Sequence, residues 1–364
     1  MNDTNYSLDV NENTITVFTE GDYLYDAMWE DMASATDTVW LESYIFSDDD
    51  IGHKFIDALK QCHDRGVSVR VRIDAFGTSL GMSNRLAKQF HHTGVKFERC
   101  LPLQWLKPWL YHRRNHRKLL IVDETVAYLG SFNIDALNSR RLTGNARWRD
   151  THLRLTGPIA NHAAKSFIYI NYRSEDFLCN THNEPILLLN NYGRHCAHLL
   201  RCLLSSQLRK AKARVWLTTP YFVPDGKIQG ELCRAAKRGV DVIVLVPGKT
   251  DAPFVRWAAH ASYSNLLQAG VRIFEYQPRM LHAKTLIVDS DWCTVGTSNL
   301  DYRSLFINYE LNLASTSSEL NEKLALIFLD DLMDAKQILS KTWGNRSYTS
   351  RVAEWLGWIA RHWL

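Results

Sequence analysis

Residues Thr38–Phe46 read TVWLESYIF, and residues Arg214–Phe222 read RVWLTTPYF. Trp40 matches Trp216, and Phe46 matches Phe222. Both runs are rich in β-branched and aromatic residues, the composition of a strand. Upstream of the first lie a short strand at Thr14–Glu20 (TITVFTE) and a helical stretch. Upstream of the second lie a strand at Pro185–Asn190 (PILLLN) and a helix around His195–Ala211.

The match continues downstream. Asp48, Asp49 and Asp50 offer N-caps for a helix with Ile51, Phe55, Leu59 and Cys62 on one face. That helix is predicted to stop at Arg65-Gly66-Val67. Its counterpart carries Leu232, Ala235 and Ala236 and stops at Arg238-Gly239-Val240. Each glycine reads as a left-handed C-cap. Alternating strands follow, VSVRVRI from Val67 and VDVIVLV from Val240, and then Gly94–Glu98 (GVKFE) and Gly270–Glu275 (GVRIFE). Strands alternating with helices in the same order twice predict an α/β fold of two similar domains. The expected boundaries are 1–160 and 184–349. A connector at 161–183, opened by a helix from Pro158 to Asp176, joins them, and 350–364 form an amphipathic tail.

The chain has 364 residues, 46% of them hydrophobic and 23% charged, enough for two globular domains with substantial cores. A net charge of +4 leans toward anionic partners without marking a nucleic-acid binder. The cysteines (Cys62, Cys100, Cys179, Cys196, Cys202, Cys233 and Cys293) are odd in number and include no CxxC pair. No disulfide framework or zinc cluster is expected, and a reducing compartment is. The polar, acidic stretch Met1–Val10 predicts no signal peptide. No apolar run nears the roughly 18 residues of a membrane span.

The strongest signal falls at the same place in each repeat. His116-Arg117-Lys118, Asp123 and Gly130-Ser131-Phe132-Asn133 return as His282-Ala283-Lys284, Asp289 and Gly296-Thr297-Ser298-Asn299 with identical spacing. A histidine and a lysine two residues apart on a strand share a face, so Arg117 and Ala283 should face away. Glycine permits close backbone approach. The hydroxyls of Ser131 and Ser298 and the amides of Asn133 and Asn299 can donate to phosphate oxygens. Two such sets suit attack on a phosphodiester. Lys118 and Lys284 neutralise the nonbridging oxygens, a neutral histidine attacks phosphorus, and a protonated one serves the leaving alkoxide. The near-symmetric pair does not say which histidine attacks.

Each imidazole needs its second nitrogen oriented. Asp150 in RDTHLRL (149–155) and Glu310 in YELNL (309–313) occupy equivalent places, each expected to hold the histidine of its own half. Asp123 and Asp289 count with the catalytic motif. Their position after an apolar strand reads as mainly structural, anchoring a turn. No metal is required, and His91-His92, His112 and His260 show no ligand spacing.

The doubled HxKxxxxD signature, each followed by Gly-Ser/Thr-x-Asn, resembles that of the phospholipase D superfamily over nearly the whole chain. Within it, the chain is most similar to bacterial cardiolipin synthases, on Leu41–Phe46 (LESYIF), Thr219–Pro224 (TPYFVP), Val295–Asp301 (VGTSNLD) and Asn308–Glu310 (NYE). The resemblance implies two phospholipase D-like α/β domains packed about a pseudo-twofold around one shared active site, with no cofactor. It implies His116 as nucleophile and His282 as acid/base. A phosphatidyl group from phosphatidylglycerol would pass through a phosphohistidine to a phospholipid alcohol. A hydrolytic phospholipase D, or a nuclease or other phosphodiesterase of the same superfamily, is the alternative.

Two further stretches favour lipid over nucleic acid. Leu101–Arg114 (LPLQWLKPWLYHRR) sets tryptophans beside bases, where the second half has only Gln277–Leu281. That composition suits a membrane interface, a loop folded on the core or a base-stacking platform. In the tail, RVAEWLGWIARHWL (351–364), Val352, Trp355, Leu356, Ile359 and Trp363 share a helical face, from which Trp358 departs. Such a helix can lie on a bilayer or dock on the protein. The expected partners are phospholipid substrates and a membrane surface, with no nucleic acid. The expected location is peripheral, at the cytoplasmic face of the inner membrane.

Overall fold

The computed structural model describes residues 6–77, 84–102, 113–170, 185–191 and 199–360. Most of the tryptophan-rich loop, the connector beyond 170, the start of the helix expected from His195, and Trp363 lie outside the described residues.

Strands β1 (Tyr6–Val10), β2 (Asn13–Phe18), β3 (Thr38–Ser43), β4 (Ser68–Asp74), β5 (Lys96–Cys100), β6 (Leu119–Val122), β7 (Val126–Gly130) and β8 (His152–Thr156) form one sheet. Its order is β1-β2-β8-β7-β6-β3-β4-β5. The second sheet contains β9 (Ile186–Asn191), β10 (Arg214–Thr218), β11 (Asp241–Pro247), β12 (Arg272–Tyr276), β13 (Thr285–Val288), β14 (Trp292–Gly296), β15 (Glu310–Ser315) and β16 (Ala335–Ile338). Its order is β16-β12-β11-β10-β13-β14-β15-β9. Seven strands correspond one to one, β2 with β9 through β5 with β12. In each half three strands, β3-β4-β5 and β10-β11-β12, pair in parallel, and the hairpin after the histidine is antiparallel. The extra strands β1 and β16 cover opposite edges.

Helices α1 (Gly21–Ser34), α2 (Asp50–Asp64) and α3 (Asn84–His92) cover the outer face of the first sheet. Helix α4 (Pro158–Tyr169) lies on its inner face. Helices α5 (Leu199–Lys210), α6 (Gly226–Lys237) and α7 (Pro253–Gln268) cover the outer face of the second sheet, and α8 (Ser318–Met333) its inner face. One apolar core therefore runs between the two sheets and includes α4 and α8. A separate core lies outside each sheet. The final helix, α9 (Tyr348–Ala360), packs on α7.

Local chemistry sets the element ends. The Asp49 carboxylate caps α2 by accepting from Gly52 N at 2.9 Å. Gly66 and Gly239, both at φ +89°, end α2 and α6 in the left-handed conformation expected of them. The matching tryptophans play matching roles. Trp40 stacks on Phe167 of α4 at 5.4 Å, and Trp216 stacks on Phe328 of α8 at 5.2 Å. Each pair fastens an inner helix to its sheet. Trp40→Ala is expected to cost about 3–5 kcal/mol, the usual toll for removing a buried aromatic ring. Chemical denaturation would measure it, and a loss below about 1 kcal/mol would remove the stack from the account of stability.

Candidate active site

β6 and β13 begin immediately after Lys118 and Lys284, so each His-x-Lys segment lies where its strand leaves the junction between halves. There the halves are sewn together through backbone. His116 N donates to Tyr309 O (2.9 Å) and Tyr309 N to Arg114 O (2.9 Å). His282 N donates to Arg149 O (2.7 Å) and Arg149 N to Met280 O (2.8 Å). Each histidine is thereby registered against the residue preceding a carboxylate of the other half.

The side chains follow the backbone. His116 Nδ1 lies 3.0 Å from Glu310 Oε2, and His282 Nδ1 lies 2.6 Å from Asp150 Oδ2. The expectation that each carboxylate serves its own half is thus overturned: the pairs are crossed. The cause is the parallel bridging of Asn115 with Tyr309 and of Arg149 with Leu281, which carries Glu310 and Asp150 across the junction.

Both carboxylates are fixed by hydroxyls. Ser131 Oγ donates to Asp150 and Thr297 Oγ1 to Glu310. Ser131 is fully buried, and its hydroxyl is engaged with Asp150 in place of the phosphate expected from the sequence. Its equivalent is Thr297, not Ser298. The repeat alignment itself holds that signal, because both follow the motif glycine. Ser298 instead lines a small pocket together with Lys284 and Asn299.

Lys118 Nζ donates to His116 O (2.9 Å) and Lys284 Nζ to His282 O (2.7 Å). Lys284 Nζ also lies 3.1 Å from His282 Nε2. Asn133 turns its Oδ1 to Ile45 N (3.3 Å). The amides of Asn133 and Asn299 sit buried in the segments that follow β7 and β14. Arg117 and Ala283 point away from this cluster, as their spacing predicts. Arg117 reaches Ser166 of α4, and Ala283 joins the core between the sheets.

Asp123 and Asp289 do not enter the cluster. Each lies one strand beyond its lysine, about 17 Å of extended chain away. Asp123 accepts from the backbone N–H groups of Thr36, Asp37 and Thr38. Asp289 accepts from those of Lys212, Ala213 and Arg214. They tie the start of β3 and β10 to the hairpin, the contacts that the turn-anchoring reading expects.

Sequence reasoning missed several neighbours. The Tyr44 ring meets His116 edge-on at 5.0 Å, with Lys118 Nζ 5.3 Å from the same ring. Trp148 packs on His282 at 5.2 Å. Arg149 pairs with Asp331 through two bonds of 2.8 Å, fixing the segment that presents Asp150. None of the three belongs to the repeated signature, so only the folded chain identifies them. Among the described residues, no group of three or more His, Cys, Asp or Glu is arranged to hold a metal ion.

Electrostatics divide the two histidines. Burial, followed by the charges of Lys118 and Lys284, holds the His116 pKa well below its ordinary value. Burial and Lys284 also lower His282, but Asp150 opposes them. Burial works to raise Asp150, yet His282, Lys284 and Ser131 outweigh it and keep this carboxylate ionised. Glu310 is pushed up to about 7 by burial, against the Thr297 hydroxyl and Lys118. Lys118 is pushed down to about 7 by burial and by Lys284, and Lys284 to about 8 by burial. Two destabilised ammonium groups in a dry cluster form a site that gains by taking up an anion.

Two α/β halves pooling two histidine–lysine pairs at their junction define a phospholipase D-type architecture. A family model described as "Cardiolipin synthase, PLD-like domain" matches residues 28–166 and 204–332. A cardiolipin synthase of Oceanobacillus iheyensis is 34% identical over 94% of this chain and 73% of its own length. One of Clostridium perfringens is 31% identical over 94% of this chain and 75% of its own. The fold of a phosphatidylserine synthase from Haemophilus influenzae superposes with a TM-score of 0.77 at 13% identity, covering 100% of this chain and 98% of that one. The chain belongs to the cardiolipin synthase family of phospholipase D-like phosphatidyltransferases.

The two kinds of aspartate are separable by experiment. Asp150→Asn is expected to cut kcat by about a hundredfold or more, because His282 loses its ionised partner. Asp123→Asn should lower the melting temperature and leave kcat within about twofold. Steady-state kinetics beside thermal unfolding would decide, and a large kcat loss for Asp123→Asn would return it to the catalytic set.

Proposed function

We propose that this chain transfers a phosphatidyl group from phosphatidylglycerol to the hydroxyl of a second phospholipid, through a covalent phosphohistidine on His116. One observation carries the reading. Two imidazoles from distant parts of the chain meet at one buried junction, each oriented through Nδ1 by a carboxylate of the opposite half.

The first step breaks the P–O bond to glycerol. Lys118 and Lys284, with the Asn133 and Asn299 amides, hold the nonbridging oxygens. His116, neutral through burial and the nearby lysines, attacks phosphorus with Nε2. His282, whose positive form the ionised Asp150 favours, gives its Nε2 proton to the departing alkoxide, and glycerol leaves. In the second step, the acceptor hydroxyl gives its proton back to His282 and its oxygen attacks phosphorus. The P–N bond to His116 breaks, and the enzyme is restored. The incoming phosphate draws Lys284 from His282 Nε2, which it otherwise faces at 3.1 Å, and its charge restores both ammonium groups. The buried cluster disfavours water as the competing acceptor.

The membrane supplies donor and acceptor. No helix among the described residues is long and apolar enough to cross a bilayer, and a peripheral position on the cytoplasmic face fits this reading. Helix α9 supports it. Its small and polar side, Glu354 and Gly357, faces the protein, with Gly357 in close approach to Trp257 and Ala258. Its apolar side faces outward: Val352 is 55%, Trp355 61% and Ile359 53% exposed. An apolar face left open by a helix already docked through its other face suits insertion at a lipid interface.

Purified protein incubated with labelled phosphatidylglycerol in vesicles should yield cardiolipin and free glycerol. His116→Ala and His282→Ala should each abolish turnover. Phosphatidic acid as sole product would favour a hydrolase, and an active single variant would sink the shared-site mechanism. Trp355→Ser with Ile359→Ser should weaken vesicle binding about tenfold or more, leaving activity on detergent-dispersed lipid within about twofold. Unchanged vesicle sedimentation would remove α9 as the anchor.

A further inference from the structure

The two halves carry the same catalytic signature on different foundations. Behind His116 lies a buried ionic network. Glu42 Oε1 accepts from Arg72 Nη1 (2.9 Å) and from Asn115 Nδ2 (3.1 Å). Glu42 Oε2 forms an ion pair with Arg117 Nη2 at 3.1 Å. Asn115 N donates to Asp74 Oδ2 (2.9 Å), and Arg117 N to Asn115 Oδ1 (3.3 Å). Arg72 and Arg117 then reach Phe167 O and the Ser166 hydroxyl of α4. Glu42, Asn115 and Arg117 are almost wholly buried.

Strand register gives the equivalents in the second half. Glu42 pairs with Arg72 across β3–β4, and Thr218 pairs with Leu245 across β10–β11. The residues flanking His282 are Leu281 and Ala283, both in the apolar core. Where one half has Glu42, Arg72, Asn115 and Arg117, the other has Thr218, Leu245, Leu281 and Ala283. The fold accepts either solution, and an apolar one costs less desolvation. Stability alone therefore gives no reason for the ionic version.

Geometry supplies the reason. Asn115 and Arg117 immediately precede and follow His116, and strand alternation sends their side chains to the face opposite the imidazole. One carboxylate grips both. Apolar packing tolerates small sliding, whereas two hydrogen bonds and an ion pair converging on one carboxylate define a register and a rotation. We propose that Glu42 is a positioning residue for His116. It clamps the two flanking residues from behind, so that Nε2 keeps its line to phosphorus while the leaving alcohol departs and the acceptor arrives. The inference rests on His116 being the nucleophile.

The test compares wild type, Glu42→Gln and a four-residue variant importing the second half's solution (Glu42→Thr, Arg72→Leu, Asn115→Leu and Arg117→Ala). Thermal unfolding, kcat and KM on phosphatidylglycerol vesicles are measured for each. The expected result is a kcat loss of about tenfold or more in both variants, with KM within about twofold and cooperative unfolding retained, the signature of misplaced reacting atoms. A folded four-residue variant with wild-type kcat would overturn the proposal. So would loss of cooperative unfolding in both variants, which would make the network structural. A wild type that turns over no phospholipid would sink the transfer reading instead. The same comparison would then run on bis(p-nitrophenyl) phosphate, where it still tests the clamp.

Discussion

The crossed bond between each histidine and a carboxylate of the other half is the constraint on which this molecule turns. Neither half supplies the carboxylate that holds Nδ1 of its own imidazole. Glu310 reaches His116 and Asp150 reaches His282 only because the backbone bonds beside them register the two segments. Removing one member of either pair within the assembled chain would leave the other buried and unpaired, far costlier than losing a surface contact. The junction is thus at once the candidate active site and a polar joint between the domains, held by one set of bonds.

Duplication explains the symmetry, and divergence explains why a symmetric site can perform two unlike roles. The proposed two-step transfer needs one neutral nucleophile and one proton donor at the same time. Burial and the lysines push both imidazoles toward the neutral form, but at His282 the ionised Asp150 opposes that push. Tyr44 covers one ring and Trp148 the other. The ionic foundation behind β6 has no counterpart behind β13. Each difference lies one layer behind the signature residues, where the repeat could drift without disturbing the fold.

The repeated unit was legible in the sequence because its signals are local. Period-two strands, the Asp49 cap and the glycines at 66 and 239 report backbone geometry within a few residues, and a second copy confirmed each. The duplicated His-x-Lys spacing placed imidazole and ammonium on one face for the same reason. Even the anchoring role of Asp123 and Asp289 followed from their place after an apolar strand. The roles of Ser131 and of the tail were less legible. A hydroxyl beside a phosphate signature reads as a phosphate ligand until the fold shows Asp150 within its reach. An amphipathic helix does not reveal which face its protein will cover, and here the narrow, small-residue face was taken.

The chain's own pattern therefore determined the two α/β halves, the succession of strands and helices along each repeat, and the matched spacing of the histidines, lysines and asparagines in the doubled motif. Tertiary structure alone decided which carboxylate serves which histidine, which hydroxyls are committed to those carboxylates, and which half received an ionic rather than an apolar base. The reason is physical. Periodicity and capping act over a turn or a strand, and they leave the same mark whichever way two similar domains are joined. Partnerships between residues such as His116 and Glu310 depend on how the halves are docked, and an internal repeat, being the same from both sides, is equally consistent with own-half and crossed pairing.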